Sequence, residues 1–265
     1  MNFVQIDDTP IAYEDRGSGR AILLVHGHPF DHTMWQPQID RFSRTHRVIA
    51  PDLRGYGITP LGAITESTDL GVFAEDLAGL LHHLEIDDYV VAGLSMGGQI
   101  AMELHRRHPE RVRGLVLADT FPAAETEEGK AARNAMADRL LKEGMQGYAD
   151  EVLDRMVAPY NTHAAPHVHR MMCATDPAGA AAALRGRAER PDYRESLTTV
   201  AVPALVVVGR DDTYTPVGDA EEMHALLPDS TLAVIERAAH LPNLERPEEF
   251  DAVLDSYLRS LVRLS

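Results

Sequence analysis

The chain has 265 residues, 45% hydrophobic and 25% charged, enough to bury a large core as one domain with an insertion or as two small domains. Its 41 acidic residues outweigh 25 basic ones, and the formal charge of −16 disfavours nucleic acid or an anionic membrane as partner, because a phosphate surface would be repelled. A single cysteine, Cys173, excludes an intrachain disulfide, and no apolar stretch approaches the length of a membrane span. The opening Met1-Asn2-Phe3-Val4-Gln5-Ile6-Asp7-Asp8 lacks the basic and apolar regions of a signal peptide, so a cytoplasmic protein is expected.

Phe3 to Ile6 and Ile11 to Glu14 read as two short antiparallel strands around Thr9-Pro10, with a turn at Arg16-Gly17-Ser18-Gly19. Ala21-Ile22-Leu23-Leu24-Val25 is a continuous apolar run, as in a strand covered on both faces, and it ends in His26-Gly27-His28-Pro29. A helix over Met34 to Phe42 and a strand at Arg47 to Ala50 follow, the latter ending in Pro51-Asp52-Leu53-Arg54-Gly55-Tyr56-Gly57. Phe73, Leu77, Leu80 and Leu84 recur at helical spacing between Asp69 and Leu84, with Thr68 or Asp69 as N-cap. After a strand at Tyr89 to Ala92 come a tight turn, a helix reaching His108 and a strand at Val112 to Ala118. Strands alternating with helices predict a parallel sheet with helices on both faces.

The alternation stops after Asp119. Residues 120–196 read as helices only, at Glu125 to Glu143, Gly147 to Val157, Ala164 to Thr175 and Pro177 to Glu189. Five of the ten methionines fall here (Met136, Met145, Met156, Met171 and Met172), which suits either ordinary helix packing or an adaptable binding surface. The sheet pattern returns at Pro203 to Gly209, followed by a helix at Asp219 to Leu227, a strand at Leu232 to Ile235 and a closing helix at Pro247 to Leu261.

Chemistry concentrates at the turn Gly93-Leu94-Ser95-Met96-Gly97, a G-x-S-x-G between a buried strand and a helix. Glycines there let strand and helix backbones approach, and the turn holds the serine hydroxyl out at the sheet edge. The helix N-terminus beneath it offers unpaired N–H groups to a developing oxyanion. A serine hydroxyl is a weak nucleophile until a base takes its proton and an acid orients that base. Carboxylates stand at two later strand ends, Asp119 and the pair Asp211-Asp212, and Ala238-Ala239-His240-Leu241-Pro242 follows the last strand. His163, His167 and His169 lack acidic companions at metal-binding spacing, so no zinc is expected. No Gly-rich phosphate loop or dinucleotide fingerprint follows any strand, and no cofactor is expected.

The chain resembles the α/β-hydrolase family, within it the serine esterase, enol-lactonase and non-haem perhydrolase group. The resemblance rests on His26-Gly27-His28-Pro29, Asp52 to Gly57, Gly93 to Gly98, Gly209 to Pro216 and His240 to Glu245, with Leu117-Ala118-Asp119-Thr120 similar to enol-lactonases in particular. It implies an α/β fold of about eight mostly parallel strands with helices on both faces and a helical cap. The core would comprise residues 1–119 and 197–265, and the cap residues 120–196. By motif position, Ser95 would be the nucleophile, His240 the base and Asp212 the orienting acid, with Asp211 or Asp119 as alternatives for the acid. The backbone N–H groups of His28 and Met96 would form the oxyanion hole. His26, Asp52 and Arg54 would fix loops rather than react. Ala239 departs from the family's glycine before the histidine and adds a methyl group near the imidazole.

Serine rather than aspartate at the elbow argues against dehalogenase or epoxide hydrolase chemistry. The resemblance implies hydrolysis of a small ester or lactone; perhydrolysis or carbon–carbon cleavage on the same residues, and a non-catalytic ligand-binding protein on the same scaffold, are the alternatives. Arg185, Arg187 and Arg190 lie among Glu189 and Asp192, a spacing that suits a solvated helix face at least as well as a pocket anchor. With the overall negative charge, it sets the expectation that neutral substrates are preferred to carboxylated ones.

Overall fold

A computed structural model describes residues 1–63 and 66–262. Within them the chain forms β1 (Asn2–Ile6), β2 (Thr9–Gly17), β3 (Ala21–Val25), α1 (Gln36–Phe42), β4 (Arg47–Pro51), α2 (Leu70–His83), β5 (Tyr89–Leu94), α3 (Met96–Arg107) and β6 (Val112–Ala118). Five helices follow: α4 (Glu127–Glu143), α5 (Gln146–Met156), α6 (Ala165–Ala174), α7 (Pro177–Ala188) and α8 (Arg194–Leu197). The chain closes with β7 (Ala204–Gly209), α9 (Val217–Leu226), β8 (Ser230–Ile235), α10 (Pro242–Glu245) and α11 (Pro247–Val262). No helix among the described residues is long and apolar enough to cross a membrane.

The strands make one eight-stranded sheet in the order β1-β2-β4-β3-β5-β6-β7-β8, antiparallel only where β2 meets its two neighbours. Alternation along the strands feeds two cores, as a period of two requires. Leu23, Val25, Val91, Leu115, Leu117, Val206 and Val208 face α2, α3 and α9. Ile22, Leu24, Val90, Ala92, Val116, Leu205 and Val207 face α1 and α11. Strands β3, β5 and β7 are buried along their whole length, which is why their sequences show continuous apolar runs.

Helix α2 follows its periodicity: Phe73, Leu77 and Leu80 are buried, and Asp69 caps it by accepting from the Val72 N–H at 3.0 Å. In α4 to α7 the methionines Met145, Met156, Met171 and Met172 are packed in cores and Met136 lies partly buried against one, so packing accounts for them. Several elements differ from the sequence reading, among them the short helices α8 and α10, which it lacked, and two differences have a visible cause. Strand β2 does not stop at Glu14; it runs to Gly17 because Glu14, Asp15, Arg16 and Gly17 pair with Ala50, Ile49, Val48 and Arg47. Arg47 secures that pairing through an ion pair with Asp15 at 2.8 Å. The expected helix over Met34 to Phe42 begins with a 3₁₀ turn at His32–Trp35, capped by Asp31, which accepts from the Thr33 N–H.

Candidate active site

Ser95 occupies the one-residue joint between β5 and α3. Its backbone sits at φ 56° and ψ −117°, a conformation that costs a non-glycine residue about 1–3 kcal/mol and persists only where the surroundings impose it. Here they do. The Ser95 N–H donates to the Ala118 carbonyl at 2.9 Å, and its carbonyl accepts from the Thr120 hydroxyl at 2.7 Å. A β-carbon on Gly97 would stand 2.1 Å from the Val25 carbonyl oxygen, so only glycine lets α3 start against β3. Met96 is the first residue of α3, where backbone N–H groups have no intrahelical acceptor.

Beyond β3, His26 is fully buried, and its Nε2 accepts from the Leu53 N–H at 3.0 Å while Nδ1 donates to the Gly27 carbonyl at 2.9 Å. Both ring nitrogens are used, and burial lowers the pKa of the ring, so His26 is a neutral tie between two loops. His28 is buried beside it, with Nδ1 2.8 Å from the Tyr56 hydroxyl. Burial, then the charges of Arg187 and Arg133, hold its ring neutral too. Asp52 accepts from the His32 N–H at 2.9 Å and the Ile58 N–H at 3.0 Å, and Arg54 pairs with Asp76 and Asp8 at 2.8 Å each. Those contacts fix the loop that carries Tyr56.

At the far side of the same sheet edge, Asp212 follows β7 and His240 follows β8. Asp212 Oδ2 lies 2.7 Å from His240 Nδ1, both side chains being buried. Oδ1 of Asp212 accepts from the Tyr214 N–H at 2.7 Å and the Thr215 N–H at 3.2 Å, and the Thr215 hydroxyl donates to Oδ2. Burial opposes ionisation of Asp212, but His240 and these donors outweigh it and hold the carboxyl below its ordinary range. Asp211 points elsewhere, accepting from the Tyr160 hydroxyl.

Asp119, after β6, accepts from the Gly209 N–H at 2.8 Å through Oδ1, while its buried Oδ2 has no hydrogen-bond partner. Ligand atoms of Asp119, Asp212 and His240 all lie within 4.8 Å of one another. Burial, then the charge of Asp212, raise the Asp119 carboxyl well above its ordinary range. Of two carboxyl groups so close, one ionises and one stays neutral.

Two contributors received no role from the sequence, although Glu245 ends one of the motifs that carry the resemblance. Glu245, buried in α10, accepts from the Ala239 and Leu241 N–H groups at 2.9 and 3.2 Å, and from the Ala158 N–H and the Asn161 amide at 2.9 and 2.7 Å. It ties the His240 loop to the segment after α5 and fixes the Ala239 N–H, so the extra methyl is accommodated in a buried position. Helix α5 lies across the site: the Tyr148 ring is 6.2 Å from that of His28, and the Arg155 guanidinium sits 3.9 Å from the centre of the Tyr214 ring, which in turn packs on His240. His163, His167 and His169 turn to separate partners, the Leu244 carbonyl, the Thr33 carbonyl and Asp150.

An eight-stranded, mostly parallel sheet with a strained serine at one strand end and a carboxylate–histidine pair at two others defines a class. The chain belongs to the alpha/beta hydrolase family, whose model matches residues 22–253. A 3-oxoadipate enol-lactonase of Acinetobacter baylyi is 29% identical over 247 residues, 91% of this chain and 89% of that one. A pimeloyl-[acyl-carrier protein] methyl ester esterase of Aliivibrio salmonicida is 28% identical, covering 95% and 97%. Among solved structures, a thermophilic esterase from Thermogutta terrifontis in a malate-bound form superposes with a TM-score of 0.95 at 35% identity, covering 98% of this chain and 99% of that one.

Proposed function

We propose that this protein is a serine hydrolase that cleaves a small carboxylic ester or lactone by two-step acyl transfer. The carboxylic-ester hydrolase class follows from its family and relatives. The observation that carries the mechanism is the buried Asp212–His240 contact of 2.7 Å at the same sheet edge as the strained Ser95. His240 takes the Ser95 proton through Nε2 as Oγ attacks the carbonyl carbon, and Asp212 holds Nδ1–H and balances the imidazolium. Negative charge on the carbonyl oxygen falls to the N–H groups of Met96 and His28. Collapse expels the alcohol, which takes the proton from His240. A water deprotonated by His240 then attacks the acyl-enzyme, and the acid leaves as Ser95 recovers its proton.

Residues 120–196 act as the cap in this reading, over a core of residues 1–119 and 197–265; Tyr148 and Arg155 against the His28 and Tyr214 rings support it. The malate bound to the Thermogutta terrifontis relative is a compact polar molecule, which supports a small substrate. The test is a pre-steady-state assay with 4-nitrophenyl acetate. A burst of one chromophore per chain, absent in Ser95→Ala, is the expected result. Chromophore release without a burst that persists in Ser95→Ala would refute the acyl-enzyme.

A further inference from the structure

The three arginines of the insertion do not form a solvated face. Arg185 pairs at the surface with Asp138, but Arg190 is buried against Glu125 and Arg187 is 6% exposed. Arg187 extends from the last turn of α7 toward α3, where its Nε donates to Gln99 Oε1 at 3.1 Å. No ion pair among the described residues includes it: Glu125, the carboxylate of this cluster, is shared between Arg133 and Arg190. Two guanidinium groups therefore share one carboxylate and the third, that of Arg187, has none, inside a protein whose net charge is −16. Buried charges are normally paired, so such an excess marks a site where the partner comes from outside.

The surroundings point the same way. Gln99 lies one turn beyond Ser95 in α3, its N–H donating to the Ser95 carbonyl at 3.2 Å. One turn is a rise of about 5.4 Å, so the guanidinium is held within a short substrate's length of the elbow. Gln99 Nε2 and His28 Nε2 are buried without hydrogen-bond partners. The charge of Arg187 acts on Tyr56, Tyr148 and His28, rings that three separate segments bring together, 6.0 Å from His28 to Tyr56 and 6.2 Å from His28 to Tyr148. Burial, then Arg133 and Arg190, depress the pKa of Arg187, as an uncompensated cation requires.

We propose that Arg187, held by Gln99, is the anchor of an anion subsite that takes a carboxylate carried by the substrate, so that the preferred esters or lactones are short carboxylated ones. The inference rests on the serine-hydrolase reading. A guanidinium offers two parallel donors in the geometry of a carboxylate, and the pair forms where water is excluded. It reverses the preference for neutral substrates that composition suggested: a local buried cation outweighs a screened, distant surface charge.

Two matched pairs test it: 4-nitrophenyl hydrogen glutarate against its methyl ester, with the carboxylate on the acyl chain, and the butyrate ester of glycolic acid against its methyl ester, with the carboxylate on the alcohol. In the wild type at 0.15 M salt, the acid of at least one pair has the higher kcat/KM, and that ratio falls about 30-fold or more in Arg187→Met and partly recovers in Arg187→Lys. If Arg187→Met does not fold, competition decides: glutarate inhibits the wild type at concentrations where dimethyl glutarate and glutaramide do not. A wild type that favours the neutral member of both pairs overturns the subsite, as does a preference that Arg187→Met leaves intact. Calorimetric titration of Ser95→Ala with glutarate separates the two levels. Binding without turnover of any ester by the wild type would refute the hydrolase reading and keep the subsite, whereas ester turnover with no binding would do the reverse.

Discussion

Asp212→Asn removes one charge and almost no volume, and the local hydrogen bonds dictate its effect. The Tyr214 and Thr215 N–H groups both donate to Oδ1, so the asparagine must keep its carbonyl oxygen there. Its amide nitrogen then occupies the Oδ2 position, 2.7 Å from His240 Nδ1, and offers hydrogens where the carboxylate offered lone pairs. The imidazole responds by carrying its proton on Nε2, the nitrogen that the proposed mechanism requires to accept from Ser95. In a serine protease the equivalent replacement lowers turnover by about 10⁴, or about 5.5 kcal/mol of barrier, and the same loss is expected here. Asp119→Asn is the internal control. Burial and Asp212 push the carboxyl of Asp119 toward its neutral form, which an amide reproduces: the oxygen keeps the Gly209 N–H and the nitrogen donates toward Asp212. Its loss should stay under about tenfold. Both are read by kcat and kcat/KM on 4-nitrophenyl acetate from pH 5 to 9, with thermal melts to verify folding. Above about 1% residual turnover in Asp212→Asn, or a reversed ranking of the two variants, Asp119 would be the acid and the orientation argument would fail.

Ser95→Ala should abolish turnover and fluorophosphonate labelling while melting within a few degrees of the wild type, since the hydroxyl itself makes none of the backbone bonds that pin the turn. Asp119 also predicts a pH dependence of stability. Its native pKa lies well above the ordinary 3.8, so the native state holds a proton that the unfolded chain releases, and stability from this group is lost as pH rises from there through the native pKa. Asn cannot ionise, so the Tm of Asp119→Asn relative to the wild type should climb over that window; a flat difference would mean Asp119 is ionised. Glu245→Gln leaves two of four donors without an acceptor, so it should lower stability by about 2–4 kcal/mol and the Tm by about 5–15 °C, with a fall in kcat as the His240 loop loosens. An unchanged melt would show that the four contacts carry no net stability.

The alternation of strand and helix was legible because the central strands are covered on both faces and therefore apolar throughout. The elbow was legible because its glycines are forced by close backbone approach, as at Gly97 against Val25. Contacts between distant segments were not. Only motif position told Asp211 from Asp212, and the physical difference lies in Tyr214 and Thr215, whose amides point at one carboxylate only. Arg187 misled for a related reason. Helix α7 is built of small residues and is buried almost all round, so it has no polar face from which exposure could be read. Gly179 and Gly186 seat it against Gly55 and Thr68, where a β-carbon would come within 1.9 and 1.8 Å of a carbonyl oxygen. Arg187 follows the second of these contacts and is carried inward with it. The extension of β2 past Glu14 likewise depends on a partner strand some thirty residues on.

The insertion leaves the sheet after β6 and returns at β7, and those two strands are direct neighbours, with Leu115 opposite Ala204 and Ala118 opposite Val207. Its two ends are therefore fastened to one rung ladder, the first of them beside the β5–α3 joint, where the Thr120 hydroxyl donates to the Ser95 carbonyl. A longer, shorter or wholly different set of helices can hang from the same two attachment points without moving the register of any strand, and lengthening such a loop costs only about 0.6 kcal/mol per doubling. Recombination between members of the lineage could thus exchange this stretch as a cassette. What a transplant must bring with it is the contacts that dock it, among them Tyr148 on His28, Arg155 on Tyr214 and the Thr175 hydroxyl on the Pro29 carbonyl at 3.0 Å. A grafted insertion lacking these contacts would be tethered at its ends and unseated in the middle.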